Sequence, residues 1–269
     1  MGAQSAHNVP MSDFSPAFTS ITSRENPVLK RIRQLVRDPS AYRKLGQVWL
    51  EGDHLGRALA SRGLKADVGV FCESKMGSSQ ESIESIAHKN IIIPDALYAE
   101  LTALESPSDM GFLWSLPEAP KVNTSSPTVV LDRVQDAGNV GSILRSAAAF
   151  GFEQVLALKG TASVWSGKVV RAGMGAHFGL RVIEQASVQD VSQLQVPLLV
   201  TSSHQGVWLH QAALPWPCAW VMGHEGQGVG PALFDMASQH VRIAQPGGEE
   251  SLNVAAAAAI CFHATAKKP

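Results

Sequence analysis

Cysteine is scarce in this chain. There are three, Cys72, Cys218 and Cys261, widely spaced and without a Cys-x-x-Cys. An odd, scattered set argues against a disulfide framework and a zinc site, and suits a reducing cytoplasm, the expected location. A surplus of charge of either sign is also missing: 22 basic side chains face 23 acidic ones, a formal net charge of −1. No whole-molecule field draws the chain onto a polyanion, so any such partner must be held by a local patch. The longest apolar run, residues 254–262, is mostly alanine and falls far short of the roughly 20 residues that span a bilayer. The opening MGAQSAHNVPMSDFSP has no basic stretch leading into an apolar core and is not read as a secretory signal. Two nucleotide fingerprints are absent as well. No Gly-x-Gly-x-x-Gly follows a first strand with an acidic residue about 20 positions on, and there is no Walker-type Gly-Lys-Ser/Thr. Neither a dinucleotide-dependent oxidoreductase nor an ATPase is supported.

What is present suffices for one large or two ordinary domains, since the chain has 269 residues, 45% of them apolar. Residues 1–20 are small and polar with two prolines and read as a disordered leader. Asn26-Pro27 opens a helix, with Asn as cap and Pro in the first turn, and Val28, Ile32, Leu35 and Val36 recur at helical spacing. Its other face carries Lys30, Arg31, Arg33 and Arg37, flanked by Arg24, Arg43 and Lys44. Strands at 48–50, 68–72, 91–93 and near 111–116 alternate with helices at 53–61, 80–88 and after Pro94, predicting an α/β domain with a mainly parallel sheet. Residues 117–127 are rich in Pro and Ser and read as a linker. A second α/β alternation follows. Strands are expected at 128–132, 154–158, 180–184, 197–202, 218–222 and 240–243, and helices at 140–150, 167–175, 188–194, 230–237 and 252–266.

Three segments leave a predicted strand for a glycine-bearing loop whose polar residues packing does not require, and such loops are where doubly wound sheets hold ligands. The first runs from Leu131 through Asp136-Ala-Gly-Asn-Val-Gly-Ser-Ile-Leu-Arg145. Gly138 and Gly141 are read as allowing a sharp turn, Asn139 as the helix cap, and Arg145 as lying about two turns into a helix buried through Ile143, Leu144 and Phe150. A bland reading leaves Asn139 a cap and Arg145 a surface charge. The second is Gly223-His-Glu-Gly-Gln-Gly228, where three glycines let a bulky ligand approach the backbone and Glu225 exceeds the needs of a turn; a simple tight turn is the alternative. The third, Ile243-Ala-Gln-Pro-Gly-Gly-Glu-Glu-Ser-Leu-Asn-Val254, ends at Ser251, a natural cap for the alanine-rich helix, and capping explains Asn253 poorly.

In order and content these segments resemble the three motifs of the SpoU/TrmH family of RNA 2′-O-ribose methyltransferases, within the SPOUT superfamily. The resemblance covers roughly residues 127–266. A weaker one extends over 21–116, similar to the family's ribosomal-protein-like substrate-binding domain through Asn26-Pro27 and Trp49-Leu-Glu-Gly52. Ala137 stands where the family usually has proline, and Ala244-Gln245 where it usually has Pro-Met. The resemblance implies a trefoil-knotted α/β methyltransferase domain at 128–269 behind a small α/β RNA-binding domain at 21–116. It implies S-adenosylmethionine as cofactor, held by backbone groups near Gly223, Ile243 and Leu252, with Thr201 and Ser202 as a further wall. It implies a homodimer whose active site is completed across the interface. Arg145 matches the residue assigned to activating the ribose hydroxyl, while Asn139, Glu225, Ser251 and Asn253 would position substrate and cofactor. An arginine stays protonated to pH ~12, so stabilising the developing alkoxide is easier for it than acting as base.

The expected partner is RNA, ribosomal ahead of transfer RNA, gripped by Lys30, Arg31, Arg33, Arg37, Arg133, Lys168 and Arg171; the bland reading of a basic helix face is a solvated one. A non-catalytic RNA-binding protein that keeps the fold is the rival. No metal is expected, since His177, His204 and His224 lack ligand spacing and a third partner. Trp208, Trp216 and Trp220 are read as core or dimer-interface residues.

Overall fold

The computed structural model describes residues 18–75, 81–202, 205–247 and 251–266. The leader expected at 1–20 lies outside them, except that Phe18–Ser20 forms strand β1 and pairs in parallel with residues 90–92.

The first half continues with α1 (Pro27–Arg37), α2 (Tyr42–Leu45), β2 (Gln47–Glu51), α3 (Asp53–Ala60), β3 (Ala66–Cys72), α4 (Glu81–Glu84), β4 (Ala87–Ile93), α5 (Asp95–Tyr98) and β5 (Met110–Ser115). Asn26 caps α1 by accepting from the Val28 amide at 2.9 Å, and Leu29, Ile32 and Leu35 turn inward. The sheet order is β1-β4-β3-β5-β2. Four strands run one way, and β5 inserts antiparallel to both β3 and β2, which the alternation of strands and helices had not foretold. The helix expected at 80–88 stops at Glu84, because Ala87 and the residues after it are drawn into the ladder with β3.

Residues 116–127 contain no helix or strand. The second half comprises β6 (Thr128–Asp132), α6 (Ala137–Ala149), β7 (Gln154–Leu158), α7 (Gly167–Gly173), β8 (Arg181–Ala186), α8 (Val188–Ser192), β9 (Leu198–Thr201), β10 (Val207–Trp208), β11 (Ala219–Gly223), α9 (Pro231–Met236), β12 (Gln239–Arg242) and α10 (Val254–Thr265). Its sheet, in the order β10-β12-β9-β11-β6-β7-β8, is parallel at every pairing. Buried on both faces, its strands read as near-continuous apolar runs. Val129, Leu131, Trp220 and Met222 meet α6, α7 and α10 on one side, while Val130, Val221 and Val200 meet α8 and α9 on the other. The result is three layers, helix on sheet on helix.

The strands progress from β6 to β8 in one direction, and β9 to β12 lie on the other side of β6. A crevice therefore opens beside β6 and β11, the point where strand order reverses. The two halves touch through Trp114, whose ring lies 5.8 Å from that of Trp165 and 5.4 Å from that of Phe178. Glu184 joins them further: it accepts from the Tyr42 hydroxyl, from Arg43 at 3.1 Å and from the Val164 amide at 3.2 Å.

Candidate active site

Four strands adjacent in the second sheet, β12, β9, β11 and β6, deliver their following loops to one edge. Beyond β9, β11 and β12 lies a cavity of about 1040 Å³. Thr201, Ser202, Gly223, Ile243 and Leu252, the five residues expected to hold a cofactor, all line it, as do Glu225, Ser251 and Asn253.

Glycine is required at Gly223 for a plain steric reason. A Cβ there would sit 2.3 Å from the Gly228 carbonyl carbon and 2.4 Å from the Val229 nitrogen, so no other residue lets the loop fold back so tightly. The fold-back is sealed by reciprocal backbone bonds between His224 and Gly228, at 3.0 and 2.8 Å. His224 Nδ1 accepts from the amides of Gly226 and Gln227 at 2.9 and 3.2 Å, a role internal to the loop.

This tight loop aims Glu225 at the first segment. One carboxylate oxygen accepts from the Gln135 amide; the other accepts from the Asp136 amide and from Asn139 Nδ2, each at 3.1 Å. Burial alone would raise the Glu225 carboxyl, but these donors outweigh it and hold the group below the usual carboxylate range, hence ionised. Asn139 Oδ1 in turn accepts from Asn253 Nδ2 at 2.9 Å. A relay Glu225–Asn139–Asn253 thus ties together three segments that lie 86 and 114 positions apart in the chain.

Two capping assignments are corrected. The cap of α6 is Asp136, which accepts from the Asn139 amide at 2.8 Å; Asn139 lies inside the first turn, and its side chain is left for Glu225 and Asn253. The cap of α10 is Asn253, not Ser251. Its Oδ1 accepts from the amides of Ala255 and Ala256 while its Nδ2 reaches Asn139, so one side chain starts the helix and closes the relay. Ser251 is exposed in the cavity wall, and residues 248–250 of its loop lie outside the described residues. Gly138 and Gly141 do not make a turn either, since α6 begins at Ala137. Gly141 lets α6 lie on α7: a Cβ would meet Ala172 Cβ at 2.5 Å and the Val169 carbonyl oxygen at 2.6 Å.

Arg145 is exposed on α6, does not line the cavity, and has no hydrogen-bond or ion-pair partner among the described residues. A single chain therefore brings Asn139, Glu225, Ser251 and Asn253 together and leaves Arg145 outside. Of the expected RNA contacts, Arg33 belongs to the fold. Its side chain is 12% exposed and donates to the backbone oxygens of Leu29 and Arg24 and to Glu100, which ties α1 down. Arg133 is likewise engaged, with Asp132 and Gln227. Lys30 pairs with Glu25 at 2.5 Å and Arg31 donates to Gln47 at 2.7 Å. Arg37, Lys44 and Lys168 are exposed; Arg171 is half-buried on α7.

Sequence reasoning missed Asp132, whose buried carboxylate accepts from Arg133 and from the Gly230 amide at 2.6 Å and so anchors the end of β6 to the start of α9. Gln245, singled out in the sequence only as a departure from the third motif, lines the cavity, and its Oε1 is buried without a hydrogen-bond partner among the described residues. His177 is a core residue: burial pushes its imidazole down to about 4. His204 lies outside the described residues. Trp220 is fully buried and donates to Thr265 Oγ1 at 2.9 Å, and Trp216 packs on Phe152. Trp208 instead lies partly exposed under the Arg242 guanidinium, 4.1 Å from the ring centroid. Among the described residues there is no cluster of metal-ligating side chains, and no helix is long and apolar enough to cross a membrane.

The model of the SpoU rRNA methylase family matches residues 126–263, and the chain belongs to this SpoU/TrmH family. It is 30% identical over 218 residues to the 23S rRNA (guanosine(2553)-2′-O)-methyltransferase RlmP of Bacillus subtilis, covering 80% of this chain and 86% of that one. A crystal structure of an RNA 2′-O ribose methyltransferase aligns with a TM-score of 0.77 at 26% identity, over 92% of this chain and 98% of that one. An AdoMet-bound rRNA methyltransferase from Sinorhizobium meliloti shares the fold, with a TM-score of 0.79 at 23% identity over 92% of this chain and 97% of that one.

Proposed function

We propose that this protein transfers a methyl group from S-adenosylmethionine to a ribose 2′-hydroxyl of RNA, ribosomal RNA ahead of transfer RNA. The observation that carries the reading is the Glu225–Asn139–Asn253 relay, whose two ends, Glu225 and Asn253, line the cavity of about 1040 Å³. The residues present fit the cofactor. The cavity is of the size that takes a nucleoside-based ligand, exposed Leu252 offers an apolar surface, and Gln245 Oε1 is an unused buried acceptor. Glu225, held ionised, places a negative charge where a sulfonium is to be held.

The cofactor supplies an already activated methyl, so the chain must align it with the hydroxyl and stabilise the charge that develops as the proton leaves. Asn139 and Asn253 orient the substrate side through their shared hydrogen bond, Glu225 fixes their placement, and Ser251 offers a hydroxyl at the mouth. Arg145 stabilises the alkoxide, and it reaches the cavity from the partner subunit of a homodimer. Two features support that arrangement. The closing helix α10 is mostly apolar and leaves Ala256, Ile260 and Ala264 exposed beside His263, Ile260 at 41%. Neighbouring α6 exposes Ser142, Arg145 and Ala149. A lone cation on so small and apolar a surface is suited to burial against a second copy, pointing into its cavity. In this reading residues 128–269 form the trefoil-knotted catalytic domain, 117–127 the linker, and 21–116 the RNA-binding domain, with Arg37 and Lys44 as exposed cations of the RNA-binding domain and Lys168 as one of the catalytic domain.

The test is calorimetry with S-adenosylmethionine together with tritium transfer to unmodified 23S rRNA, the methylated position being mapped by resistance to alkaline cleavage. Cofactor binding with 2′-O-methyl incorporation is expected. RNA binding without cofactor binding would establish the non-catalytic alternative.

A further inference from the structure

The same sheet edge carries a second cleft, of about 380 Å³, beyond the carboxyl ends of β6, β7 and β8. It lies across β6 from the strands that frame the cofactor cavity, and the segment 223–230 contributes to both walls. Its lining is apolar, through Leu158, Val188, Pro231 and Leu233, with Val188 37% exposed. Two cations, Arg133 and Lys159, stand at its rim.

Arg133 is held in an unusual way. Its backbone is left-handed, with φ of 61°, a conformation that non-glycine residues adopt mostly where surrounding structure enforces it. Nε and Nη2 donate to the two oxygens of Asp132 at 2.9 and 3.2 Å, and Nη1 donates to Gln227 Oε1 at 3.0 Å. Every guanidinium nitrogen is thus engaged in the plane of the group, and the Asp132 carboxylate, 6% exposed, offsets its charge. Three of its five N–H groups are used in this way, and with its charge offset the flat face is the broadest surface left to a ligand; guanidinium planes stack on unpaired bases. Gly160 leaves room for the arginine stem: a Cβ there would lie 3.1 Å from Arg133 Cγ. Lys159 is different, an exposed ammonium with no hydrogen-bond or ion-pair partner among the described residues.

We infer that this cleft is a nucleotide subsite of the RNA substrate, taking an unpaired base beside the one whose ribose is methylated. The base enters the apolar slot and stacks on the Arg133 plane, and its phosphate meets Lys159. The inference rests on the RNA reading above, and adds that Arg133 acts through its face rather than as a phosphate clamp.

The experiment uses the full chain and mixed-sequence single-stranded RNA carrying 4-thiouridine, with affinity read by anisotropy and contacts by photo-cross-linking. Val188→Trp fills the slot and is expected to weaken RNA binding at least tenfold, with the cofactor affinity and melting temperature of the wild type. Should that variant melt early, Ala232→Trp, an exposed position on the same wall, replaces it with the same expectation. Lys159→Ala should lower the salt slope of binding by about 1. Cross-links should fall on peptides that include Leu158–Lys159 or Val188. A filled slot that leaves RNA affinity unchanged, or cross-links that avoid these peptides, would overturn the subsite alone. Wild-type protein that binds cofactor but no RNA would overturn the RNA reading with it.

Discussion

Where the amino-terminal sheet sets one antiparallel strand among four that run together, the carboxyl-terminal sheet is parallel throughout. In a parallel sheet every strand ends on the same edge, so the loops after β6, β9, β11 and β12 converge whatever their separation in the chain. That is how Glu225, Asn139 and Asn253 come to share hydrogen bonds. In the first sheet the antiparallel β5 separates β2 from the three parallel strands and interrupts that edge. Its polar residues are dispersed over α1 and the strand ends, and several of its cations are tied to the fold. The same α/β grammar therefore yields a concentrating surface in one half and a distributed one in the other. The first suits chemistry at a point; the second suits an extended grip.

Substitutions can break or sharpen this contrast. The largest effect is expected at Arg145→Ala. It leaves fold and cofactor affinity intact, since the side chain has no partner among the described residues, yet turnover should fall about 10²–10³-fold, the usual consequence of losing a group that stabilises developing negative charge. Single-turnover methylation beside calorimetry checks it, and near-normal turnover would remove Arg145 from the mechanism. Next comes Gly141→Ala, where the new methyl meets Ala172 and the Val169 carbonyl. Urea denaturation should show a loss of about 1–3 kcal/mol, as overpacking does.

Tyr42→Phe removes the hydroxyl that joins the halves at Glu184. A loss of about 1.5–3 kcal/mol, the range for hydrogen bonds to charged groups, is expected on denaturation, and cofactor affinity should not move, because the latch lies outside the cavity. Glu225 gives a subtler signature. Its carboxyl sits below the ordinary value when folded. Its stabilisation is therefore complete above the unfolded value and is lost as pH falls through the lower folded one. Melting temperature followed down from about pH 6 to pH 3 should fall less steeply in Glu225→Gln than in the wild type. The smallest effect belongs to the first half. Lys44→Ala or Arg37→Ala should weaken RNA binding a few-fold and reduce the salt slope by about 1 each, with turnover on saturating RNA unchanged.

Much of this was legible beforehand. The six strands expected in the second half match β6, β7, β8, β9, β11 and β12 to within about two residues, because strands buried on both faces are strongly apolar and the turns between them carry glycine. The two-residue β10 was missed: Val207-Trp208 is too short to show a period. The antiparallel β5 escaped because hydrophobic pattern marks a strand without its direction. Of the motif residues, Gly223, Glu225, Ile243, Ser251, Leu252 and Asn253 line the cavity while Asn139 and Arg145 do not, and caps were misplaced by two or three residues. Asp136, Asn139, Ser251 and Asn253 are all plausible caps by type, and only the backbone decides which amide each one meets.

Taken alone, the order of residues determined the α/β architecture, the three motifs, and the family to which the chain belongs, since these depend on local periodicity and on residue types at fixed spacing. Tertiary structure decided which side chains meet. It brought Asn253 to Asn139 and Glu225, turned Arg33 inward, placed Arg145 outside its own cavity, and opened a second cleft beside Arg133. The physical reason is that hydrogen bonds and ion pairs are fixed by distances of about 3 Å. Such distances between segments a hundred residues apart are set by sheet order and packing, which no local pattern contains.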